Sequence, residues 1–420
     1  MTSWLRRLVV VVAVLGLAVS ADAQWLVQTP APAPAKPEDK PAETAAEKAA
    51  EKPKTLWEEI TLFAYVENSY VWNLGHTGRD DVNELRVFDF DAGYSFNAAE
   101  FFIKKDTTEA RPWGFGVAVT AGLDAQKIHA LGIFRDGDDQ FPFRNTSKFD
   151  LKDAYGVYTF PVGSGLTLKA GKFVTLLGYE VIEGPLNPNF SRSYMFGFAI
   201  PFTHVGALLS YSPTEWLSLT AGPVVGWDVA EDNNNRMSVM GQIAVTPFKE
   251  LTTSLNFITG PEQNKQGTNP RTVLDFVANY TGIKNLTLGA NVDYGWEVDE
   301  PSLAGTRGSS KDAVWWGYAG YVIYDWTEKL RTAFRGEYFK DADGARTLAR
   351  GPGAKVSVWE ITATAQYHIW KGPVGTGLFG RLEYRHDEAA DKVFKVRRPG
   401  LVPTSESQDT ITVALHYLFF

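Results

Sequence analysis

The feature that most constrains this chain is the strict alternation of apolar and polar residues that recurs from residue 60 onward. Residues 286–296 are the clearest case, with one face formed by Leu286, Leu288, Ala290, Val292, Tyr294 and Trp296 and the other by Thr287, Gly289, Asn291, Asp293 and Gly295. Successive side chains of a β-strand point to opposite sides of the sheet, so each such segment predicts a strand with one apolar face. The apolar faces end in aromatic residues, which is typical of the interfacial girdles of a transmembrane β-barrel.

The alternating segments number about sixteen, an even count of the kind that bacterial single-chain barrels have. We predict strands near residues 61–72, 96–106, 113–123, 149–160, 166–174, 202–212, 216–228, 237–247, 250–260, 271–281, 285–297, 312–325, 328–340, 355–370, 376–387 and 408–420. Short turns alternate with long connections at residues 73–95, 124–148, 175–201, 229–236, 261–270, 298–311, 341–354 and 388–407. This pattern predicts an all-β transmembrane antiparallel barrel with short periplasmic turns, long external loops and both termini in the periplasm. An additional strand pair within residues 84–96 is an alternative that the pattern leaves undecided.

Composition narrows the class of protein further. No stretch after residue 23 reaches the roughly 18 uninterrupted apolar residues of a transmembrane helix, which excludes a helical membrane protein. The formal net charge is −8, so we do not expect nucleic-acid binding, which needs a basic surface. The chain contains no cysteine, which excludes disulfides and lipid attachment through cysteine.

The first 59 residues predict two segments that precede the barrel. Arg6 and Arg7, then an apolar run, then Ala21-Asp22-Ala23 follow the order of a cleavable signal peptide, which we assign to residues 1–23. Residues 24–59 are rich in Pro, Ala, Glu and Lys and have no apolar face. We interpret them as a periplasmic spacer, with partner binding as the alternative. The barrel is then expected to span residues 60–420 in the outer membrane.

Several short phrases of the sequence occur in the order and spacing of one known family. They run from Asp150 to Tyr155, Gly171 to Thr175, Gly178 to Glu180, Ser191 to Tyr194, Pro201 to Gly206, Gly226 to Asp228 and Gly336 to Asp341. The chain resembles the OmpL-like β-barrel porins of Gram-negative outer membranes over most of residues 60–420. The resemblance implies a barrel and a channel, and it names neither a solute nor a catalytic residue.

Charged residues on the polar faces of the predicted strands are candidates for the pore wall. A lipid-facing arginine at the membrane midplane would cost about 2–4 kcal/mol, so these side chains are expected to face the lumen. Rings of charged side chains set the ion preference of many channels. The candidate pore-lining residues are Lys169, Arg331, Arg335, Glu337, Glu360, Arg381, Glu383 and Arg385. The alternative is that they form internal salt bridges that stabilise a narrow or plugged barrel.

The third long connection, residues 175–201, is a candidate constriction loop. In general porins the third external loop folds inward and narrows the channel. The candidate constriction residues are Glu180, Glu183, Asn187, Asn189 and Arg192. Three prolines restrict the freedom of this segment. Its acidic residues would face the arginines of the wall and create a transverse field.

Three functions remain open from the residues alone. The favoured one is a non-enzymatic porin that passes small hydrophilic solutes or ions by passive diffusion through a polar lumen, with no cofactor. The second is an outer-membrane hydrolase or lipid-modifying enzyme, although the six histidines show no metal-binding spacing and no catalytic motif appears. The third is a structural barrel that does not conduct.

The partners expected of a porin follow from its place in the membrane. They are outer-membrane lipid, lipopolysaccharide and the barrel-assembly machinery, whose sorting signal the terminal aromatic residues Tyr417 to Phe420 resemble. A barrel of about sixteen strands also fits a homotrimer.

Overall fold

The computed structural model describes residues 55–74, 85–89, 92–133, 147–303, 312–347, 349–350, 353–372, 376–394 and 403–419. The expected signal peptide and the expected spacer as far as residue 54 lie outside these ranges. The last five spacer residues are described. They comprise Thr55 and the exposed 3₁₀-helix Leu56–Glu59, which leads directly into the first strand.

The described residues form sixteen strands. These are β1 (Ile60–Asn73), β2 (Gly93–Lys105), β3 (Trp113–Ala121), β4 (Phe149–Phe160), β5 (Leu166–Val174), β6 (Thr203–Thr214), β7 (Leu217–Val224), β8 (Ser238–Phe248), β9 (Leu251–Pro261), β10 (Pro270–Ile283), β11 (Leu286–Glu297), β12 (Ala313–Asp325), β13 (Leu330–Asp341), β14 (Val356–Lys371), β15 (Gly377–Ala389) and β16 (Ser407–Leu418). Short helical turns at Ala125–Lys127, Gly184–Leu186, Met195–Ala199 and Pro301–Leu303 lie in the long connections. None of the helices in the described ranges has the length and apolarity that a membrane crossing requires.

Each strand pairs with its neighbours in sequence, and β1 pairs with β16 to close the barrel. All of these pairings are antiparallel; across the closure, Val66 lies opposite Tyr417. The backbone N–H of Phe419 also donates to the carbonyl of Ala64 at 2.9 Å. Closure matters because lipid offers no hydrogen bonds, so an open sheet edge inside a membrane would leave its polar backbone groups unsatisfied.

The prediction of a sixteen-stranded antiparallel barrel is confirmed, with strand limits close to those expected from the alternation. The largest shift is at β7, which ends at Val224 rather than 228. The alternative of an additional strand pair in residues 84–96 is wrong for the described residues 85–89, which form no strand. Residues 85–89 lie inside the barrel without joining the sheet, because Arg86 pairs there with Asp89 and with Asp387 of β15.

The two ends of the barrel differ in the length of their connections. At one end, hereafter the short-turn end, turns such as residues 215–216, 249–250 and 284–285 join the strands. The N-terminus of β1 and the C-terminus of β16 lie at this same end. The long connections, including residues 175–202, all leave from the other end, hereafter the long-loop end.

The outer surface carries aromatic residues near both ends of the strands. Towards the long-loop end, Trp316, Tyr318 and Tyr338 contact one another with ring centroids 5.3–6.4 Å apart. At the short-turn end, Tyr324 and Trp326 pack edge to face at 4.7 Å. Aliphatic and aromatic side chains are exposed between these belts. This arrangement is typical of a barrel whose apolar band faces lipid and whose girdles lie at the two interfaces.

A matched pair of arginine substitutions tests which face of the wall meets lipid. Ile243, at the centre of β8, points outward with 47% of its surface exposed, and its neighbour Ala244 points into the lumen. Ile243→Arg should lower the free energy of unfolding by about 2–4 kcal/mol if it lies near the midplane. Ala244→Arg should cost much less, because the lumen is polar. Urea unfolding in lipid vesicles measures both, and equal losses would contradict this orientation.

Candidate functional site

The connection between β5 and β6, residues 175–202, folds into the lumen instead of extending from the rim. We refer to residues 175–201 as the inner loop. The two strands end together, with Val174 opposite Thr203, so the loop leaves the wall between two paired strands. Most of its residues are buried, including the whole π-helical turn Met195–Ala199. The inner loop therefore fills much of the barrel interior.

Arg335 of β13 is the central contact between the wall and the inner loop. Its guanidinium donates to Glu360 of β14 and to Glu180 of the loop, both at 2.6 Å. It also donates to the backbone carbonyl of Ser191 at 2.6 Å. All three charged side chains are fully buried. A buried guanidinium with this many acceptors fixes the loop against the wall, because any displacement would leave buried charges unpaired.

Arg381 of β15 binds the loop through backbone carbonyls. It donates to the carbonyls of Asn187 at 2.5 Å and of Gly184 at 3.0 Å, and its Nε donates to Gln366 of β14 at 2.9 Å. Asn187 itself holds the loop in shape, because its side chain bonds both the N–H and the carbonyl of Val181. Arginine suits this role because its planar group presents several donors in one fixed geometry.

Two glutamates of the wall accept hydrogen bonds from loop backbone N–H groups. Glu337 accepts from Tyr194 and Met195 at 2.7 and 2.6 Å. Glu383 accepts from Phe190 at 2.6 Å and from Ser191 at 2.9 Å. Each carboxylate thereby satisfies two donors that would otherwise be buried without partners.

Arg385 extends this network towards the long-loop end. It donates to Asp387 at 2.6 Å and to the carbonyl of Arg192 at 2.7 Å, and it lies over the ring of Tyr194. The hydroxyl of Tyr194 also donates to Asp387 at 2.6 Å. Asp387 accepts as well from Arg86, so a second connection is fixed to the same carboxylate.

The loop is also held on two other sides of the barrel. On β4, Lys152 pairs with Glu183 of the loop and with Glu100 of β2. On β10, Asp275 accepts from the backbone N–H of Gly178 at 3.0 Å. The ion pairs and hydrogen bonds of the loop thus reach several separated strands.

Lumen-facing glycines on β11 and β12 receive bulky side chains. A Cβ added to Gly289 would lie 2.4 Å from the Tyr179 ring, which stacks on Tyr321 at 4.1 Å. A Cβ on Gly317 would lie 2.8 Å from Met195. Because glycine has no side chain, the loop approaches the wall closely at these points. Lumen-facing glycines within alternating segments are the sequence signal that indicates where a loop approaches the wall closely.

The structure brings most of the predicted pore-wall and constriction residues into one cluster. Six of the predicted wall residues are buried against the inner loop: Arg335, Glu337, Glu360, Arg381, Glu383 and Arg385. Four of the predicted constriction residues are buried on the loop side: Glu180, Asn187, Asn189 and Arg192. Asn189 donates to Thr364 of β14 at 2.7 Å, and Glu183 is drawn to β4. Sequence reasoning missed Lys152, Arg86 and Asp387, which no local pattern distinguishes from other charged strand residues.

Two of the predicted wall residues stay partly exposed in the lumen outside this cluster. Lys169 of β5 lies over the rings of Tyr155 and Phe173, with distances of 4.8 and 5.9 Å to the ring centroids. Arg331 pairs with Asp325 at 2.7 Å, and the two side chains are 30% and 36% exposed. These residues lie nearer the short-turn end than the buried cluster.

A second cluster of side chains contacts the C-terminal end of the inner loop, near the long-loop end of the barrel. Arg346 lies over the rings of Trp227 and Trp315, with distances of 4.8 and 5.1 Å to the ring centroids, and donates to the carbonyl of Phe198 at 2.9 Å. Glu262 accepts from the backbone N–H of Trp227 at 2.7 Å. Burial raises the pKa of the Glu262 carboxyl to about 7. The charge of this cluster therefore changes near neutral pH.

Comparison with protein families agrees with this architecture. The family described as "Putative beta-barrel porin-2, OmpL-like" matches residues 59–419. The chain belongs to this family. It is therefore an outer-membrane porin, and its closed barrel with a polar lumen is the structure of that class. No curated protein sequence matches the chain.

Solved structures show the same fold for this OmpL-like porin. An anion-selective porin from Comamonas acidovorans has a TM-score of 0.54 at 12% identity, covering 86% of this chain and 99% of that one. The outer membrane channel DcaP of Acinetobacter baumannii has a TM-score of 0.53 at 10% identity, covering 86% and 97%. OmpF of Salmonella typhi has a TM-score of 0.53 at 14% identity, covering 86% and 97%. At these identities the likeness concerns the fold alone.

Two arginines on the same face of β13 provide a test of the loop anchor. Arg335→Met leaves Glu180 and Glu360 buried without their cation and should destabilise the porin by about 3–5 kcal/mol. Arg331→Met removes a partly exposed pair and should cost about 0–1 kcal/mol. Denaturant unfolding in vesicles measures both. Equal effects would mean that the Arg335 contacts do not hold the loop.

Proposed function

We propose that solutes cross this OmpL-like porin through the part of the lumen that the inner loop leaves free, and that the loop sets the width of the passage. The observation that carries the proposal is the dense bonding of residues 175–201 to the wall, above all the buried contact of Arg335 with Glu180. A loop held in this way narrows the lumen permanently. Passive diffusion of small hydrophilic solutes and ions needs no other moving part.

The eight candidate wall residues divide into two roles in this proposal. Lys169 and Arg331 are partly exposed and would meet solutes directly. The six buried residues would act through the loop, by holding it in place and by setting the field across the constriction. Glu180, Glu183, Asn187, Asn189 and Arg192 would form the loop side of that constriction. In this proposal the two interpretations of the charged residues each apply to part of the set. Two residues belong to the pore wall, and six form internal pairs and hydrogen bonds that hold the loop.

We propose no catalytic role for these residues. A catalytic carboxylate or histidine must reach a substrate, whereas the buried carboxylates of the cluster are occupied by arginine, lysine and backbone donors. Their arrangement is better suited to holding a loop than to proton transfer.

We also propose an orientation and an assembly for this barrel. The short-turn end, with both termini, would face the periplasm, and the long-loop end would face outward among lipopolysaccharide. The aromatic C-terminal strand β16 would be read by the barrel-assembly machinery. A homotrimer is the assembly that we propose for a barrel of this size.

Single-channel recording of the refolded porin in a planar bilayer tests the role of the loop. The wild-type protein should give discrete conductance steps. Gly289→Val should enlarge them, because its side chain would displace Tyr179 and with it the start of the loop. Gly320→Val is the control, since that glycine faces outward and a Cβ there meets nothing within 4 Å. Folded wild-type protein that never conducts would refute the proposal.

Protease accessibility and mass measurement test orientation and assembly. An epitope inserted in the short turn at residues 215–216 should stay protected from protease in intact cells and become cleavable once the outer membrane is permeabilised. Light scattering of the detergent-solubilised porin should give the mass of three chains. Cleavage in intact cells would reverse the proposed orientation, and a mass of one chain would exclude the trimer.

A further inference from the structure

Two aspartates face each other on the inner side of the barrel wall. Asp275 of β10 and Asp293 of β11 lie directly opposite one another in register. Both are buried, and their carboxyl groups are in hydrogen-bond contact. We call these two residues the carboxyl pair. Two carboxyl groups that share one buried site cannot both carry their charge at low cost, because the like charges repel each other.

Among the described residues, no lysine, arginine or histidine forms an ion pair with the carboxyl pair. The other ionic residues of β10 and β11 are Arg271 and Glu297, which pair with each other at 2.7 Å towards the long-loop end. In the same way, Arg335 of β13 is paired with Glu180 of the inner loop at 2.6 Å. Glu337 adds a further carboxyl group near Asp293. The repulsion within the pair is therefore not relieved by a neighbouring cation.

The hydrogen bonds around the pair distinguish its two members. Asp275 accepts from three N–H donors, the backbone of Gly178 at 3.0 Å and the side chains of Asn256 at 2.5 Å and Asn291 at 2.7 Å. By contrast, no N–H or hydroxyl group of the described residues donates to Oδ2 of Asp293, and the contact of its Oδ1 with Asn291 is 3.5 Å long. N–H donors favour the ionised form of a carboxyl group. Asp275 is thus suited to carry the charge, and Asp293 is suited to carry a proton and donate it to Asp275.

The carboxyl pair meets the inner loop at the start of the loop. Gly178, whose N–H bonds Asp275, has a φ of +94°, which residues with a side chain rarely adopt. A Cβ at this position would also lie only 2.5 Å from Cδ1 of Ile200. The N–H of the next residue, Tyr179, donates to the side-chain oxygen of Asn291 at 3.4 Å. Asp275 therefore holds the start of the loop both directly and through Asn291.

We propose that the carboxyl pair holds one proton, carried by Asp293, and that this proton allows Asp275 to position the start of the inner loop. The inference rests on the proposed function, in which the inner loop sets the width of the passage. With the proton in place, the pair carries one negative charge, and the three N–H donors on Asp275 stabilise it. Two charges would drive the carboxylates apart and draw Asp275 away from Gly178. Both aspartates are thus positioning residues that act through the loop.

Three variants test the pair by single-channel conductance in planar bilayers. Asp293→Asn replaces the carboxylic acid by an amide of the same shape, which is uncharged and still donates to Asp275, so its conductance steps should equal those of the wild type. Asp275→Leu removes the acceptor of the Gly178 N–H and should enlarge the steps, because the start of the loop loses its contact with the wall. Asp293→Leu removes only the donor to Asp275, so its steps should lie between those of the wild type and Asp275→Leu.

Infrared difference spectroscopy detects the proton itself, because the carbonyl band of a protonated carboxyl group is separate from the bands of a carboxylate. The spectrum of the wild type minus that of Asp293→Asn should contain one protonated-carboxyl band. Asp106→Asn is the control, since it removes an exposed carboxylate that pairs with Lys104 at 3.0 Å, and its difference spectrum should contain carboxylate bands alone. This measurement decides the protonation of the pair even if Asp275→Leu does not fold.

The outcomes separate this inference from the proposed function. A difference spectrum without the protonated-carboxyl band would overturn the inference, because both carboxyl groups would then be ionised and would need a bound cation between them. Conductance steps of Asp293→Asn as large as those of folded Asp275→Leu, or steps of Asp275→Leu equal to those of the wild type, would also overturn it. Each of these results leaves the porin function intact. Folded wild-type protein without any conductance would refute the proposed function and with it the positioning role, whatever the infrared band shows.

Discussion

A membrane supplies no partners for backbone N–H and C=O groups, and this one constraint shapes the rest of the molecule. The chain meets it by pairing every strand on both sides and by closing β1 against β16. Once the wall is closed, its outward side chains must be apolar and its inward ones are free to be polar. Function can then be built only from inward side chains and from connections that fold into the lumen. Among the described residues, those of the connection 175–201 do so most extensively.

The inner loop brings polar backbone groups into the barrel, and ionic side chains on β13 and β15 satisfy several of them. Glu337 and Glu383 accept loop N–H groups, while Arg381 and Arg385 donate to loop carbonyls. Removing one partner from such a buried network costs far more than the network contributes over an apolar core. Buried ionic groups of this kind are therefore better explained by the need to fix one loop position than by overall stability. The strands β6–β9 carry no ionic side chains, and they meet the loop through buried apolar side chains such as Leu208 and Met240 instead.

How far the site could be predicted differs from residue to residue. The inward direction of Arg335 and Arg381 follows from period-two alternation and the cost of exposing arginine to lipid. The inward folding of residues 175–201 is expected from their order along the chain, their length and the resemblance to porins. The pairing of Glu180 with Arg335 could not be derived, because 155 residues separate them and only the closed sheet brings β13 opposite the loop.

The sequence alone determined the class of structure and the face of each strand, because alternation is a local property that each segment carries by itself. It also limited charged strand residues to the lumen. Only the tertiary structure decided which lumen residues are buried as anchors and which stay exposed. That choice depends on contacts between strands and a loop far apart in the chain, and a period of two residues contains no information about them. The lumen-facing Arg331 and Arg335 are equivalent in the sequence pattern, yet one pair is partly exposed and the other is sealed beneath the loop.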